Sequence, residues 1–460
     1  MDSKKFSELA IKPSILKNLS TLGYKSMTPI QEKALGPVLA GKDILAQAKT
    51  GSGKTAAFGI GLLSQLDPTK KEIQSLVICP TRELAEQVAK EIRRLARQMT
   101  NVKVVTLCGG SPLGAQAASL EHGAHCIVGT PGRIEDHLGR KTLRLGRIKT
   151  LVLDEADRML DMGFSEVLDY IVSRTPEQRQ TLLFSATYPE NIQSLSKKYQ
   201  KEAISVRIES TKESLKIEET FFEIDEEHKE NLLVNLLHEN RPESTVIFCQ
   251  TKQKCHELAL YLKKKDFSAL AIHGDLEQRE RSEVLALFSH KSVSILVATD
   301  VAARGLDIKN LTAVVNYDIS RDPEVHVHRI GRTGRAGKEG LAWTFYTKRE
   351  KHRVKAIEEY QDKKALVAPA KEYKDISSKT FYPPMVSFCI AGGKKSKLRP
   401  TDILGALTVS KELSGSDVGK IDIFDFHSFV AIKQEKAKKA FDILAEGKIK
   451  GRFFKVRKAS

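Results

Sequence analysis

The stretch Ala48-Lys49-Thr50-Gly51-Ser52-Gly53-Lys54-Thr55 decides the fold of this chain. It follows an apolar run, Ile44-Leu45-Ala46, which is typical of a buried strand. Its glycines let backbone N–H groups turn inward around phosphate oxygens, Lys54 brings a point charge to the outer phosphates, and the Thr55 hydroxyl reaches a magnesium ion. The usual loop of this kind begins with Gly, where this chain has Ala48. The pattern predicts a strand, a phosphate-binding loop and a helix that bind a nucleoside triphosphate.

A second motif, Asp154-Glu155-Ala156-Asp157, ends another apolar run, Leu151-Val152-Leu153. Asp154 is placed to hold the magnesium ion from the opposite side, and Glu155 to polarise a water aimed at the last phosphate. A glycine-rich loop alone is also compatible with an ordinary strand-to-helix turn that binds no nucleotide. The carboxylate pair after a second strand favours a site that binds and hydrolyses a nucleoside triphosphate with Mg²⁺.

Length and composition bound the class of protein. With about 150 residues per domain, 460 residues indicate about three domains. No stretch approaches the roughly 20 apolar residues of a membrane span, and no apolar signal segment follows the N-terminus, so export is not expected. The six cysteines contain no Cys-x-x-Cys pair and lie mostly in apolar runs, which indicates buried free thiols in a reducing cytoplasm. His326 and His328 lack partners for a zinc site.

The net charge of +17 points to a polyanionic partner. Residues 384–460 carry 16 Lys/Arg against 8 Asp/Glu, so a sixth of the chain holds nearly half of the excess positive charge. A solvated lysine-rich surface is the alternative. The nucleic-acid interpretation is favoured because the charges cluster in two segments beside glycines, residues 392–399 and 447–452.

Two α/β units precede this basic tail. Short apolar runs alternate with helical patterns, which predicts mostly parallel sheets with helices on both faces. We place the first domain at residues 1–207, a linker at 208–215, the second domain at 216–367 and another linker at 368–383. The second unit has no Gly-Lys-Thr loop of its own, which suggests that it donates residues to the nucleotide held by the first.

The tail at 384–460 follows a βαββαβ order similar to a small RNA-recognition module. We predict strands at 386–390, 418–424, 429–433 and 452–456, and helices at 400–409 and 434–445. Ser387 stands where the shorter sheet-face motif of such modules has an aromatic residue. The basic turns are therefore the better candidates for RNA contact.

A series of further blocks completes the pattern in a fixed order. They are Gly23-Tyr24-Lys25-Ser26-Met27-Thr28-Pro29-Ile30-Gln31, Pro80-Thr81-Arg82-Glu83-Leu84-Ala85, Gly109-Gly110, Thr130-Pro131-Gly132-Arg133, Ser185-Ala186-Thr187, Gln278-Arg279-Glu280-Arg281, Ala298-Thr299-Asp300-Val301-Ala302-Ala303-Arg304-Gly305-Leu306-Asp307 and His328-Arg329-Ile330-Gly331-Arg332-Thr333-Gly334-Arg335. Over most of its length the chain thus resembles the DEAD-box family of RNA helicases. The resemblance implies two RecA-like parallel-sheet domains in tandem, followed by the small α+β module similar to an RNA-recognition motif.

The resemblance also implies the residues of the ATP site. The catalytic residues would be Lys54, Asp154, Glu155, Arg332 and Arg335, with Thr55 and Asp154 on the metal. Arg335 would act as an arginine finger from the second domain. The nucleotide would contact Phe6, Tyr24, Thr28, Gln31, Ala48, Lys49, Thr50, Gly51, Ser52, Gly53, Lys54, Thr55 and Asp307. Phe6 would stack on adenine, Gln31 would read its edge and Asp307 would hold the ribose.

RNA would bind across both helicase domains through backbone contacts of little sequence preference. The residues implied there are Arg82, Gly109, Gly110, Thr130, Arg133, Arg281 and Thr299. Ser185 and Thr187 would couple the state of the phosphate to the RNA. In the tail, the residues expected to bind RNA are Lys394, Lys395, Lys397, Arg399, Lys448, Lys450 and Arg452.

The order of domains most resembles the bacterial DbpA-type members of the family. That likeness implies an ATP-dependent RNA helicase that separates short duplexes in large-subunit (23S) ribosomal RNA during ribosome assembly. We expect a cytoplasmic monomer whose partners are ribosomal RNA and ribosome precursor particles. The alternatives are a general RNA helicase, an ATP-gated RNA clamp without ribosomal specificity, and a DNA-translocating helicase with the same sheets.

Overall fold

The computed structural model describes residues 5–48, 52–208, 216–303, 311–334, 339–370, 382–409 and 412–459. These residues form three sheets within two compact units, one up to position 211 and one from position 212 onward. Two sheets are parallel throughout and the third is antiparallel. The predicted fold class is confirmed. The domain boundaries at 208–215 and 368–383 stay predictions.

The first unit alternates strands and helices in chain order. Its strands are β1 (Ile44–Gln47), β2 (Ser75–Ile78), β3 (Val104–Leu107), β4 (Cys126–Gly129), β5 (Thr150–Asp154), β6 (Gln180–Ser185) and β7 (Ile204–Arg207). Its helices are α1 (Pro13–Thr21), α2 (Pro29–Leu39), α3 (Lys54–Gln65), α4 (Arg82–Leu95), α5 (Leu113–Glu121), α6 (Pro131–Gly139), α7 (Ala156–Asp161), α8 (Ser165–Val172) and α9 (Glu190–Tyr199).

The first sheet has the order β3-β4-β2-β5-β6-β1-β7. Alternate strand residues enter opposite cores: Val77 packs with α1 to α4 on one face, and Leu76 with α5 to α9 on the other. Helix α4 shows why such segments are helical, because its buried residues recur on one face and the Thr81 hydroxyl accepts the Leu84 N–H at its start. Since every pairing is parallel, the carboxyl ends of all these strands lie at one edge of the sheet.

The second unit begins with the same architecture. Its strands are β8 (Ile217–Glu223), β9 (Thr245–Cys249), β10 (Ala269–Ile272), β11 (Ile295–Thr299), β12 (Ala313–Asn316), β13 (Gly340–Tyr346) and β14 (Val367–Ala368), in the order β10-β11-β9-β12-β13-β8-β14. Its helices are α10 (Lys229–Asn240), α11 (Lys252–Lys264), α12 (Gln278–Ser289), α13 (Asp300–Ala303), α14 (Pro323–Ile330) and α15 (Lys351–Gln361). Ala368 pairs with Phe222, so the second sheet continues one residue into the predicted linker.

The C-terminal module forms the antiparallel sheet β16-β17-β15-β18. Its elements are β15 (Met385–Ile390), α16 (Pro400–Thr408), β16 (Val418–Ile423), β17 (Ser428–Lys433), α17 (Ala437–Glu446) and β18 (Val456–Lys458). The described residues also form short 3-10 helices, of which the last three belong to this module: Phe6–Glu8, Glu226–His228, Lys348–Glu350, Lys394–Ser396, Gly415–Asp417 and Gln434–Lys436.

The expected last strand, 452–456, is wrong in position. Ile449 pairs with Arg452 across a tight turn in which Gly451 has a φ of 77°. The turn occupies the residues up to Arg452. The chain therefore pairs with the sheet only from Val456 onward. Phe453 and Phe454, within the predicted strand, lie in the connection between α17 and β18 instead.

Each face of the C-terminal sheet is covered. Val386, Phe388 and Ile390 point to the module's own core with α16 and α17. The opposite face carries Cys389 and Phe429. These residues share one apolar core with α12 and with strands of the second α/β sheet. Polar contacts frame this packing: the His290 ring lies 3.0 Å from both Ser387 Oγ and Asp422 Oδ2, and Arg457 Nη2 donates to Glu283 Oε1 at 3.1 Å.

The six cysteines all belong to the described residues and are buried free thiols, as expected. Burial raises the pKa of Cys126 to about 12, so this thiol stays protonated and unreactive at neutral pH. Within the parts of the chain that the structure describes, no helix is long and apolar enough to cross a bilayer.

Candidate ATP and RNA sites

The phosphate-binding loop leads directly into α3. Gly53 caps the helix with a φ of 93°, a left-handed conformation that favours glycine, and Lys54 is the first helical residue. The Ala48 N–H donates to the Ser185 carbonyl at 2.8 Å, which joins the start of the loop to the end of β6. Lys49, Thr50 and Gly51 lie outside the described residues. The N-terminus of α3 provides backbone N–H groups and a positive dipole end for a phosphate.

Lys54 lies between the two carboxylates predicted to share its site. Its Nζ is 2.8 Å from Asp154 Oδ1 and 3.6 Å from Glu155 Oε1, and all three side chains are buried. Burial by itself would lower the pKa of Lys54, but the two carboxylates outweigh it and raise that pKa above its usual value. Lys54 therefore remains charged, and the structure brings the loop and the acidic motif together as predicted.

Glu155 is held by a residue that the sequence interpretation did not select. Arg158 Nη1 lies 2.9 Å from Glu155 Oε2, and both side chains are largely buried. Glu155 itself has a φ of 55°, a conformation that non-glycine residues adopt mainly where the surroundings impose it. The signal that sequence reasoning missed is the i, i+3 spacing from Glu155 at the start of a helix. The ion pair orients the Glu155 carboxylate.

Asp154 retains unused binding capacity. Its Oδ2 is buried and, among the residues described, has no hydrogen-bond donor. The same holds for the hydroxyl oxygens of Ser52, in the loop, and of Thr28, at the start of α2. Buried polar oxygens without partners are costly unless a ligand or water satisfies them. A carboxylate oxygen in this setting fits a hard cation.

The segment predicted to read adenine is bound to the phosphate loop. The Gln31 amide accepts the Thr28 N–H through Oε1 at 2.9 Å and donates through Nε2 to the Gly53 carbonyl at 3.1 Å. A Cβ at Gly53 would lie 2.5 Å from Gln31 Nε2, so only glycine permits this approach. One N–H and one lone pair of the amide remain for an adenine edge.

The two aromatic residues assigned to adenine pack against each other. The Phe6 and Tyr24 rings meet edge to face with centroids 6.0 Å apart, and Phe6 is buried in the core. The Tyr24 hydroxyl donates to Glu91 Oε1 at 2.7 Å. Burial, then this hydrogen bond, raise the pKa of Tyr24 to about 12. Stacking of adenine on Phe6 stays a prediction.

Asp157 links the acidic motif to the coupling motif. Its Oδ2 accepts the Ala186 and Thr187 N–H groups at 3.0 and 3.1 Å and the Thr187 hydroxyl at 3.1 Å. The sequence interpretation selected Ser185 and Thr187 for coupling but gave Asp157 no role. Since Glu155 and Asp157 are two residues apart, one short segment joins the acidic cluster around Lys54 to Thr187; the coupling role of Ser185 and Thr187 stays a prediction.

We expect Asp157→Asn to lower duplex separation per ATP hydrolysed by about tenfold, because an amide cannot accept three hydrogen bonds at one oxygen as a carboxylate does. Strand separation and ATP turnover measured together on one RNA duplex test this. Asp67→Asn, in an exposed turn of the same unit, is the matched control. Asp157→Asn and Thr187→Val combined should be non-additive. Equal loss of turnover and separation would contradict the coupling role.

The strand order separates the RNA candidates of the first unit from the ATP residues. Arg82, Gly109 and Thr130 follow β2, β3 and β4, which form one half of the sheet, whereas the ATP motifs follow β1, β5 and β6. The Arg82 guanidinium covers Gly109, where a Cβ would lie 2.5 Å from Arg82 Nη2. Arg133 donates to the Ser111 carbonyl at 2.9 Å. Thus Arg82, Gly109, Gly110, Thr130 and Arg133 share one edge.

The candidates of the second unit lie at the carboxyl ends of β10 and β11. Arg281 donates to the His273 carbonyl at 3.4 Å, and the Thr299 hydroxyl accepts the Ala302 N–H at 3.4 Å. Arg332 ends the turn after α14 and is half-buried. Asp307 and Arg335 lie outside the described residues, so their roles stay predictions.

Sequence reasoning did not single out Arg329 among the arginines after β12. Its guanidinium binds both Asp300 carboxylate oxygens at 2.7 Å and also the Asn316 side chain. Arg329 is almost fully buried. This bidentate pair between the buried Arg329 and the partly exposed Asp300 fixes α14 against α13, so Arg329 has a structural role, while Arg332 is half-buried.

The two basic turns of the C-terminal module meet. Lys450 Nζ donates to the Lys397 carbonyl at 2.7 Å, although the residues are far apart in sequence. Arg399 caps α16, and its N–H donates to Asp402 at 2.9 Å. The predicted contact residues Lys394, Lys395, Lys397, Arg399, Lys448, Lys450 and Arg452 therefore form one basic end of the module.

Three family models match the chain in the order of these sites. A DEAD/DEAH box helicase model matches residues 28–195, a helicase conserved C-terminal domain matches residues 228–337, and a DbpA RNA binding domain matches residues 387–458. The chain is also 51% identical over 455 residues to the ATP-dependent RNA helicase DbpA of Escherichia coli (strain K12), covering 98% of this chain and 99% of that protein. The chain is a DEAD-box RNA helicase of the DbpA type.

Other relatives share the helicase part. The DEAD-box ATP-dependent RNA helicase CshA of Bacillus subtilis is 43% identical over 360 residues, which cover 78% of this chain and 73% of CshA. The solved structure of S. cerevisiae Dbp5 bound to RNA and ADP BeF3 has a TM-score of 0.73 at 31% identity, covering 80% of this chain and 97% of Dbp5. This DbpA-type helicase therefore binds ATP and RNA and is an RNA helicase and ATPase with an appended RNA-binding domain.

Proposed function

We propose that this DEAD-box helicase hydrolyses ATP with Mg²⁺ to separate short duplexes in large-subunit (23S) ribosomal RNA during ribosome assembly. The single observation that carries the ATP part is the buried cluster of Lys54, Asp154 and Glu155, joined to Thr187 through Asp157. Positioning and charge neutralisation are what phosphoryl transfer requires, and this cluster supplies groups for each.

The magnesium proposal rests on the chemistry of the donors. Asp154 Oδ2 is a buried carboxylate oxygen without a donor among the described residues, and Thr55 stands in the first turn of α3. Oxygen ligands of this kind suit Mg²⁺, which would neutralise charge on the outer phosphates. We propose Asp154 and Thr55 as the residues that hold it.

The roles of the protein's own residues follow from their positions. Lys54 leaves the carboxylates to bind the outer phosphates, and the helix start with Ser52, Gly53 and Thr55 receives the remaining oxygens. Glu155, oriented by Arg158, takes the proton of the attacking water. Gln31 reads the adenine edge, with Phe6, Tyr24 and Thr28 completing the base pocket.

The contributions of the second unit rest on the family resemblance. We propose that Arg332 and Arg335 place positive charge on the moving phosphate and that Asp307 contacts the ribose. A finger of this type contributes roughly three to five powers of ten in rate. RNA held by Arg82, Thr130 and Arg281 with their neighbours would then accelerate hydrolysis. Linkage requires that ATP and RNA tighten each other's binding by the same factor.

The ribosomal target rests on the C-terminal module and on the likeness to a DbpA protein. The module's exposed lysines form one basic end, which supports phosphate binding. We propose that this end anchors the helicase to ribosomal RNA or to ribosome precursor particles, so that the α/β domains act on nearby duplexes. The site of action would be the cytoplasm, and the active form a monomer.

RNA-stimulated ATP turnover tests the proposed target. We expect half-maximal stimulation at a concentration at least tenfold lower for a large-subunit ribosomal RNA fragment than for an unrelated RNA of equal length. Replacing Lys394, Lys395, Lys397 and Arg399 together by Ala should remove this difference and leave the maximal rate unchanged, because the helicase domains are intact.

The control for this experiment replaces Lys263, Lys264 and Lys265, three exposed lysines at the end of α11, by Ala. Equal stimulation by both RNAs in the parent protein would indicate a general RNA helicase without ribosomal specificity. Tight ATP-dependent RNA binding without duplex separation would indicate an ATP-gated RNA clamp. Equal stimulation by matched DNA would indicate a DNA helicase.

A further inference from the structure

One buried amide joins two of the segments expected to bind RNA. Gln116 lies on α5 and is 8% exposed. Its Nε2 donates to the Cys108 carbonyl at 2.9 Å, in the loop of residues 108–111 that follows β3 and that we call the glycine loop. Its Oε1 accepts a hydrogen bond from Arg133 Nη1 at 2.8 Å, in the first turn of α6. The amide therefore uses its donor side on the glycine loop and its acceptor side on the arginine.

His137 holds this amide from another side. The ring is fully buried, its Nε2 lies 3.0 Å from Gln116 Oε1, and its Nδ1 lies 2.8 Å from Thr142 Oγ1. Burial, and then the positive charge of Arg133, lower the pKa of His137, so the ring is neutral at neutral pH. Because an amide oxygen can only accept, the single N–H lies on Nε2 and the Thr142 hydroxyl donates to Nδ1. His137 thus fixes which end of the Gln116 amide faces Arg133.

Arg133 is held at two points on one of its nitrogens. Nη1 donates to Gln116 Oε1 and also to the Ser111 carbonyl at 2.9 Å, at the end of the glycine loop. The third contact, from Nε to Asp136 Oδ2 at 3.5 Å, involves a carboxylate that is more than half exposed, so it restrains the guanidinium little. A long side chain loses rotamer freedom when it binds a ligand, and this cost falls if the protein has already ordered it. Since both strong bonds use Nη1, the ordered group presents Nη2 to a phosphate.

We propose that Gln116, fixed by His137, is a positioning residue for RNA binding. It holds the Arg133 guanidinium at a set spacing from the backbone N–H groups of the glycine loop, so that both reach phosphates of one RNA strand. Gln116 itself does not contact the RNA. This inference rests on the proposed function, in which Arg133 and the glycine loop belong to the RNA site. Such groups bind phosphate oxygens whatever the bases are, so the arrangement supplies affinity without sequence preference.

RNA-stimulated ATP turnover of the full-length protein tests the proposal. Gln116→Met keeps the length of the side chain but removes the acceptor for Arg133. The RNA concentration at half-maximal stimulation should rise about tenfold, because the RNA itself must then order the guanidinium. Turnover at saturating RNA should stay at the parental value, since the ATP motifs follow β1, β5 and β6 and Gln116 lies between β3 and β4. Gln178→Met, at an exposed glutamine just before β6, is the matched control and should change neither quantity.

Two substitutions at His137 provide a rescue test. His137→Leu should raise the half-maximal RNA concentration about threefold, because Gln116 loses the N–H that orients its amide. His137→Gln should restore the parental value, since its Nε2 stands the same number of bonds from the backbone as the imidazole Nε2 and donates to the same oxygen. Equal losses in the two variants would show that packing of the ring matters and not the N–H, which would overturn the role given to His137.

A double substitution separates positioning from a purely structural role. Arg133→Ala should raise the half-maximal RNA concentration about tenfold and lower the slope of log affinity against log salt by roughly 0.7, the value for one phosphate contact on a single strand. In the Arg133→Ala background, Gln116→Met should have no further effect. Additive losses in the double variant, or an unchanged RNA requirement in either single variant, would overturn the proposal.

Failure of the ribosomal target is a separate outcome of the same titrations. Each is carried out with a large-subunit ribosomal RNA fragment and with an unrelated RNA of equal length. If the parent protein responds equally to both, the ribosomal specificity fails. The positioning proposal is then still supported if Gln116→Met raises both half-maximal concentrations by the same factor, and it is overturned if neither rises.

Discussion

Lys54→Ala should lower RNA-stimulated ATP turnover by about 10³-fold or more, to the limit of detection. The Lys54 ammonium is buried and paired with Asp154 at 2.8 Å, so its loss removes the charge that faces the phosphates and leaves two buried carboxylates without this cation. Loss of one preorganised group alone costs about two to three powers of ten in such sites. ATP turnover at saturating RNA is the measurement.

The same variant makes a prediction about stability. Breaking a buried ion pair by removing one partner typically costs about 3–5 kcal/mol, so thermal unfolding of the first unit should occur at lower temperature. The deficit should shrink as the pH falls, because protonation removes the charge of the carboxylates that are left buried. RNA should still bind through the C-terminal module.

Lys33→Ala is the matched control for Lys54→Ala. Lys33 is an exposed lysine on α2 of the same unit, and its Nζ donates to the Arg207 carbonyl at 3.2 Å. Turnover should be unchanged. Turnover by Lys54→Ala within tenfold of the parent protein would sink the assignment of the phosphate loop.

Glu155→Gln should separate binding from chemistry. The amide is the same size as the carboxylate, so the fold and the Lys54–Asp154 pair are retained, but it cannot take a proton from the attacking water. We expect hydrolysis to fall by about 10²–10⁴-fold, the usual contribution of a general base. ATP and RNA should still bind together, and a long-lived complex of protein, ATP and RNA should accumulate.

A substitution at Arg158 tests the role of Glu155 in a second way. In the parent protein, Arg158→Gln should slow hydrolysis with little effect on the ATP concentration at half-saturation, because it orients Glu155. In the Glu155→Gln background the same change should have no further effect. Glu190→Gln, in the first turn of α9, is the control. Unchanged hydrolysis in Glu155→Gln would show that another group activates the water.

Much of the site was predictable because its signals are local. The glycines before Lys54 and the carboxylates after β5 have their chemistry within a few consecutive residues, and the alternation of apolar runs with helical patterns predicts parallel sheets. The strands predicted at 386–390, 418–424 and 429–433 agree with β15, β16 and β17 to within one residue at each end. The last strand was misplaced because Phe453 and Phe454 look like strand residues, whereas a turn at Gly451 takes them out of the sheet.

The amino-acid sequence by itself determined the two parallel-sheet units, the ATP motifs and the basic βαββαβ tail. The meeting of Lys54 with Asp154 was predicted from their motifs, but only the tertiary structure decided which other distant groups meet: Asp157 with Thr187, and Lys450 with Lys397. It also decided that Phe429 is buried against the second α/β sheet while Phe426 and Phe453 stay in solvent. The physical reason is that strand order and packing between sheets bring together residues far apart in the chain, and these contacts leave no periodic trace in the sequence.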